Sequence, residues 1–229
     1  MFRRLTKIGG VVAASGGGLT LCAASYPFET RGSSTTLTPP SALKSPPLSL
    51  AGVGMRRKNL YVVEVDVYLA SLYLGQEALR AAKASKGQDP SLAGLPEALY
   101  LSTTAAVSGK QAPTAQAATT LHFVRDVGQQ TVVDAFNDAF QGVDAASIAS
   151  FKSALGETIG SNGMKAGECV TFYWMNASSG LHVEKNGVVS PAVRAPELER
   201  KLLKVYTAPD TAVSPELIKT LRDHLHCIV

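Results

Sequence analysis

The chain has 229 residues, room for one core of ordinary size, with 45% apolar and 17% charged residues. A mean hydropathy of +0.09 excludes a wholly disordered chain, and the absence of a glycine period excludes collagen. The formal charge of +4 belongs to one end. Residues 1–50 hold Arg3, Arg4, Lys7, Arg31 and Lys44 against Glu29, and the remaining 17 basic and 17 acidic residues leave the body neutral. A neutral body with no basic run longer than Arg56-Arg57-Lys58 argues against nucleic acid as a partner. Cys22, Cys169 and Cys227 form no C-x-x-C pair, so neither a disulfide framework nor a zinc site is expected.

In chain order, residues 1–28 form a basic start followed by an uncharged stretch, Ile8–Phe28. The stretch is long enough to reach across a bilayer but contains five glycines. A cleaved targeting segment and a weak membrane anchor both fit. The acid-poor, Arg- and Ser-containing composition favours a mitochondrial address, with a plastid one as the alternative. Residues 29–47, with Pro39, Pro40, Pro46 and Pro47 among Ser and Thr, read as a linker. The domain is expected from Leu48 to the end.

Val63-Glu64-Val65-Asp66-Val67-Tyr68-Leu69 alternates as a strand, with Glu64, Asp66 and Tyr68 opposite the apolar face, and the run continues to Leu74. Further strands are expected over 99–107, 120–127, 169–176 and 181–185. Asn186-Gly187 then turns the chain into Val188-Val189. Helices are expected over 76–86, from Thr131, from Ala145, from Pro196 and from Pro215, each with apolar residues three or four apart. Thr131-x-x-Asp134 resembles a capping box, so Thr131 is expected to cap its helix. Strands and helices do not alternate regularly. An α+β domain follows, a mainly antiparallel sheet with helices on one face.

No dinucleotide or phosphate loop is present, because Gly52-Val53-Gly54 lacks a third glycine and an apolar helix after it. No cofactor is implied. His224-Leu225-His226-Cys227 is no metal site on a helix, where residues two apart point to different faces. His122 and His182 read as structural strand histidines, and Ser178-Ser179-Gly180 as a turn.

Gly52-Val53-Gly54-Met55-Arg56-Arg57-Lys58, followed by Val67-Tyr68-Leu69 and Leu72-Tyr73-Leu74, resembles the chalcone isomerase family. The likeness continues through Leu121–Val127, Pro196–Leu198, Leu202-Leu203, Tyr206 and Val213-Ser214-Pro215. The resemblance implies an open-faced β-sandwich, a large antiparallel sheet with helices packed on one face and a ligand cavity between the layers. It also implies one of three functions: chalcone cyclisation, fatty-acid binding without chemistry, or a mitochondrial role associated with haem or assembly.

Residues discriminate among these. Cyclisation develops phenolate and enolate charge, and Arg56 occupies the position of the family's arginine. Tyr68 stands where the fatty-acid binders carry Tyr and the isomerases Thr. Thr131 replaces the isomerase tyrosine after Gly128-Gln129-Gln130, Asp138 replaces its asparagine, and the later Ser/Thr position falls at Arg200. The resemblance therefore favours a non-catalytic protein. Arg56 and Tyr68 would hold a long-chain fatty acid or similar anionic apolar ligand, with Thr131 and Asp138 as further ligand-site positions. A divergent intramolecular lyase is the alternative, and membrane association would run through the N-terminal segment.

Overall fold

A computed structural model describes residues 35–60, 63–88, 91–104, 113–176, 179–210 and 212–227. Residues 1–34, which include the expected targeting segment, lie outside these, as does part of the turn at Ser178. The fold is α+β. Seven antiparallel strands stand in the sheet in sequence order: β1 (Thr36–Leu37), β2 (Leu48–Leu60), β3 (Val63–Leu74), β4 (Ala115–Phe123), β5 (Cys169–Met175), β6 (Gly180–Lys185) and β7 (Val188–Val189). Helices α1 (Gln76–Gln88), α2 (Leu95–Thr104), α3 (Gln129–Asp134), α4 (Ala145–Ile159), α5 (Pro196–Thr207) and α6 (Pro215–Cys227) supply the second layer.

Strand alternation divides the sheet into two faces. Leu72, Leu74, Leu121, Phe172, Trp174 and Val183 point at the helices and join the main core. Each such side chain, fully buried, contributes roughly 1.5–3 kcal/mol. Phe136, Phe140, Phe151 and Phe172 meet edge-on and stacked, with ring centroids 5.1–6.1 Å apart. Trp174 satisfies its indole by donating to the Glu199 carbonyl at 3.0 Å. The outer face carries a second, smaller apolar cluster of Leu43, Leu48, Tyr73, Ala118, Tyr173 and Met175.

Residues 36–47, expected as a linker, help to cover that outer face. Thr36 and Leu37 pair with Ser49 and Leu48, and Leu43, in a short 3-10 turn at Ser41–Leu43, is buried. Strand β2 has no clean alternation because its register shifts at Leu50/Gly52 and again at Arg56/Arg57. Gly52 and Gly54 face α6 on this strand and leave room for the helix backbone. Beyond the short β1, the outer edge of β2 is satisfied by α6 itself. The Val53 N–H donates to Thr220 Oγ1 at 2.8 Å, that hydroxyl lies 2.6 Å from the Val53 carbonyl, and the Met55 N–H donates to Glu216 Oε2 at 3.2 Å.

Three expectations are corrected. Residues 99–104 are helical, because Leu92, Leu95, Leu99 and Thr103 recur every three or four residues and all bury against the core. The fourth strand runs over Ala115–Phe123, five residues earlier than expected, and Val127 makes only an isolated bridge to Met164. Thr131 is not a cap: α3 begins after Gly128, with no side-chain bond at its start, and Thr131 is exposed within the first turn. Asp134 instead accepts from Gln130 at 2.7 Å and Asn137 at 3.2 Å.

Candidate functional site

The twelve residues between Arg56 and Tyr68 span the β2–β3 hairpin, so the two become directly facing partners across the strands. Both lie on the helix side of the sheet. This reverses the expected facing of β3: Tyr68, Ala70, Leu72 and Leu74 meet the helices, while Leu69, Ser71 and Tyr73 face outward. The preceding four residues, Val63 to Asp66, project from the body, and Val63 is exposed.

Two adjacent arginines have opposite circumstances here. Arg57 is neutralised by Asp66 at 3.0 Å and by Glu216 at 2.7 Å. Arg56, half-buried, donates from Nη1 to the Val213 carbonyl at 3.2 Å and makes no ion pair among the described residues. A guanidinium has five N–H donors, so this one retains donors and an unopposed charge. The bond to Val213 fixes it against the segment joining α5 to α6.

Tyr206 of α5 completes the group. Leu198, Leu202 and Tyr206 share the buried stripe of that helix. The Tyr206 hydroxyl approaches that of Tyr68 and is fully buried without a hydrogen bond of regular geometry. Burial pushes the Tyr68 phenol up to about 12, opposed first by the Arg56 charge and then by the Tyr206 hydroxyl. Burial pushes Tyr206 well above its ordinary range as well, against the pull of Arg56. Both phenols therefore remain protonated in neutral solution and serve as donors. Neither is poised as a general base. Tyr68 also packs on the Phe123 ring, 5.5 Å between centroids.

The other expected positions stand elsewhere. Thr131 and Asp138 are solvent-exposed, on α3 and in the turn after it, and no described contact joins them to Arg56 or Tyr68. Arg200 pairs with Glu97 at 3.5 Å and lies over the Tyr100 ring, so the α5 residue beside Tyr68 is Tyr206. In the sequence Tyr206 stood among the residues matching the family and on an apolar stripe, a pattern that ordinarily marks core. Among the described residues no three His, Cys, Asp or Glu side chains are grouped to hold a metal ion, and no helix is long and apolar enough to cross a membrane.

A sequential antiparallel sheet backed by helices, with a cation and two phenols at their seam, defines a class: an open-faced β-sandwich. The chalcone isomerase-like family model matches residues 96–220, more than half of the chain. The chain belongs to the chalcone isomerase-like family. Its structure is similar to the crystal structure of a fatty-acid-binding protein of Arabidopsis thaliana, with a TM-score of 0.58 and 17% sequence identity over 79% of this chain and 90% of that one. No curated protein sequence matches it.

Proposed function

We propose that this protein binds a fatty acid, or an anionic apolar molecule like it, and performs no chemistry on it. The observation that carries the reading is the unopposed Arg56 guanidinium beside the buried phenols of Tyr68 and Tyr206. A half-buried guanidinium with donors to spare gains from an anionic partner, and a carboxylate supplies charge and acceptor oxygens together. The similar plant protein is named for fatty-acid binding, which supports the same class of ligand.

The helix–sheet interior next to this cluster is packed with buried side chains, Tyr206 and Phe123 among them. An acyl tail enters only as those side chains yield, so affinity reflects the population of an opened state as well as the contacts within it. The setting proposed is the mitochondrion, reached through residues 1–28, which also offer the route to any membrane association.

Titration of a long-chain fatty acid and its methyl ester into the protein tests the reading. Arg56→Ala is expected to weaken acid binding by about 2–5 kcal/mol and Tyr68→Phe by about 1.5–3 kcal/mol, with the ester little affected. Equal losses for acid and ester would show that these residues shape a cavity without holding a carboxylate. Saturable cyclisation of a chalcone, abolished by Arg56→Ala, would select the isomerase instead.

A further inference from the structure

The face of the sheet turned away from the helices holds a cleft of about 370 Å³, roofed by Thr36, Leu37, Thr38 and Pro40. Its floor follows the strand register. One row runs across β4, β5 and β6 as Thr120, Thr171 and Glu184, and Ser71 of β3 follows Thr120 in register just outside the lining. Tyr73 and Tyr173 close one end, and the facing pair His122 and Cys169 closes the other. Ser71, Thr120 and Thr171 are almost wholly buried, and the two threonine hydroxyls bond each other at 3.1 Å. A hydroxyl oxygen has two lone pairs, so Thr120 and Thr171 keep acceptor capacity toward the cleft beyond the bond they share.

Charge decides what the cleft would take. Among the described residues Glu184 is the one formally charged side chain lining the cleft, and its carboxylate accepts from the Gly187 N–H at 2.5 Å. It makes no ion pair among the described residues. The adjacent Lys185 points to the other face, where it meets Glu168 at 2.9 Å and the Ile159 and Gly163 carbonyls. His182, two residues back on the same face, lies with Nδ1 2.9 Å from the Ser190 carbonyl. His122 keeps a buried, unpartnered Nε2.

We propose that this cleft is a second binding site, for a small organic cation, with Glu184 as counter-charge, the Tyr73 and Tyr173 rings as its aromatic wall and the Thr120–Thr171 hydroxyls as hydrogen-bond partners. Tyrosine rings attract cations through their faces, and a carboxylate with no resident partner gains most from an ammonium group. The field is felt locally: after burial, Glu184 is the largest influence raising the Tyr173 phenol and the Cys169 thiol. Burial lowers the His122 pKa, which keeps that ring neutral and leaves the cation's place open. The cleft thus has the opposite preference to the Arg56 edge, on the opposite face of the same sheet.

Three probes of one shape separate the charges: phenethylammonium, 2-phenylethanol and phenylacetate, each titrated into the full-length protein by calorimetry. Phenethylammonium is expected to bind about tenfold more tightly than the alcohol, and phenylacetate not to bind in this cleft. Phenethylammonium should also slow alkylation of Cys169 by N-ethylmaleimide, followed at that cysteine by peptide mass spectrometry. Glu184→Gln should reduce phenethylammonium to the level of the alcohol, and Arg56→Ala should leave it unchanged. Equal binding of the three on the unaltered protein, no binding of phenethylammonium at millimolar concentration, or no protection of Cys169 overturns the proposal. Sensitivity to Arg56→Ala in place of Glu184→Gln would overturn it too.

Discussion

Gly54 of β2 and Leu217 of α6 meet backbone to backbone: a Cβ added to the glycine would stand 2.2 Å from the Leu217 nitrogen and 2.4 Å from Ser214 Oγ. The Ser214 oxygen is itself committed, accepting from the Leu217 N–H at 3.3 Å. The G-x-G of this strand is therefore a seat for a helix, and it sets the distance between α6 and the Arg56 that follows two residues later.

Gly54→Ala is accordingly expected to destabilise the protein by about 1–3 kcal/mol, the usual cost of overpacking. Gly87 offers the control, because a Cβ there meets nothing within 4 Å and the residue lies in α1. Gly87→Ala should stabilise by about 0.4–1 kcal/mol. Denaturant unfolding of the two variants checks both signs. A neutral Gly54→Ala would show that α6 can shift at no cost.

Helix capping gives a second contrast. Asp144 accepts from the Ser147 N–H at 2.8 Å at the start of α4, so Asp144→Ala should cost about 0.5–2 kcal/mol. Thr131, exposed within the first turn of α3, should tolerate Ala with a change of less than about 0.5 kcal/mol. Thermal melts distinguish them, and the reverse order of effects would restore Thr131 as a cap.

That contrast shows where the sequence was legible. Helices α4, α5 and α6 were readable from apolar residues at helical spacing and from Pro196 and Pro215 at their starts. Thr131-x-x-Asp134 was not, because a capping pattern has the same letters one turn too late. Strand β2 was hidden: two register shifts and two helix-seating glycines erase its period of two. Leu99-Tyr100-Leu101 read as strand although its partners, Leu92, Leu95 and Thr103, lie at helical spacing. In the candidate site, Arg56 and Tyr68 were singled out through the family resemblance, and the hairpin turns their twelve-residue spacing into a facing pair. Tyr206 was matched to the family but not assigned to the site, because a buried phenol and a core aromatic look alike until a neighbour's hydroxyl is placed beside it.

Alkaline stability should report the buried phenols. An unfolded tyrosine ionises near about 10, whereas Tyr68 is pushed up to about 12 and Tyr206 well above its ordinary value. Between those limits the native state retains protons that the unfolded chain has lost, so stability falls as pH rises. Below about pH 9 the contribution is fully present. The denaturant midpoint should be level there and decline through about pH 10 to 12, and Tyr68→Phe should make the decline shallower. An unchanged slope would mean that Tyr68 ionises freely in the native protein.

The N-terminal address is tested with a reporter carrying residues 1–50, where all the excess positive charge lies. Mitochondrial import is expected. A plastid signal would select the alternative, and a cytosolic or secreted reporter would refute the mitochondrial proposal.

Strand order follows the chain, yet β2 is closed by its far end: Val53 and Thr220 bond across 167 residues. A ribosome therefore releases the long glycine-bearing strand early and its cover almost last. Until α6 emerges, the nascent protein exposes a sheet edge with unpaired amides and carbonyls, open to strand addition by any neighbouring chain. Premature termination just before Pro215 would leave that edge uncovered for good, so such a product belongs to chaperones and proteases even though every strand of its sheet has been made.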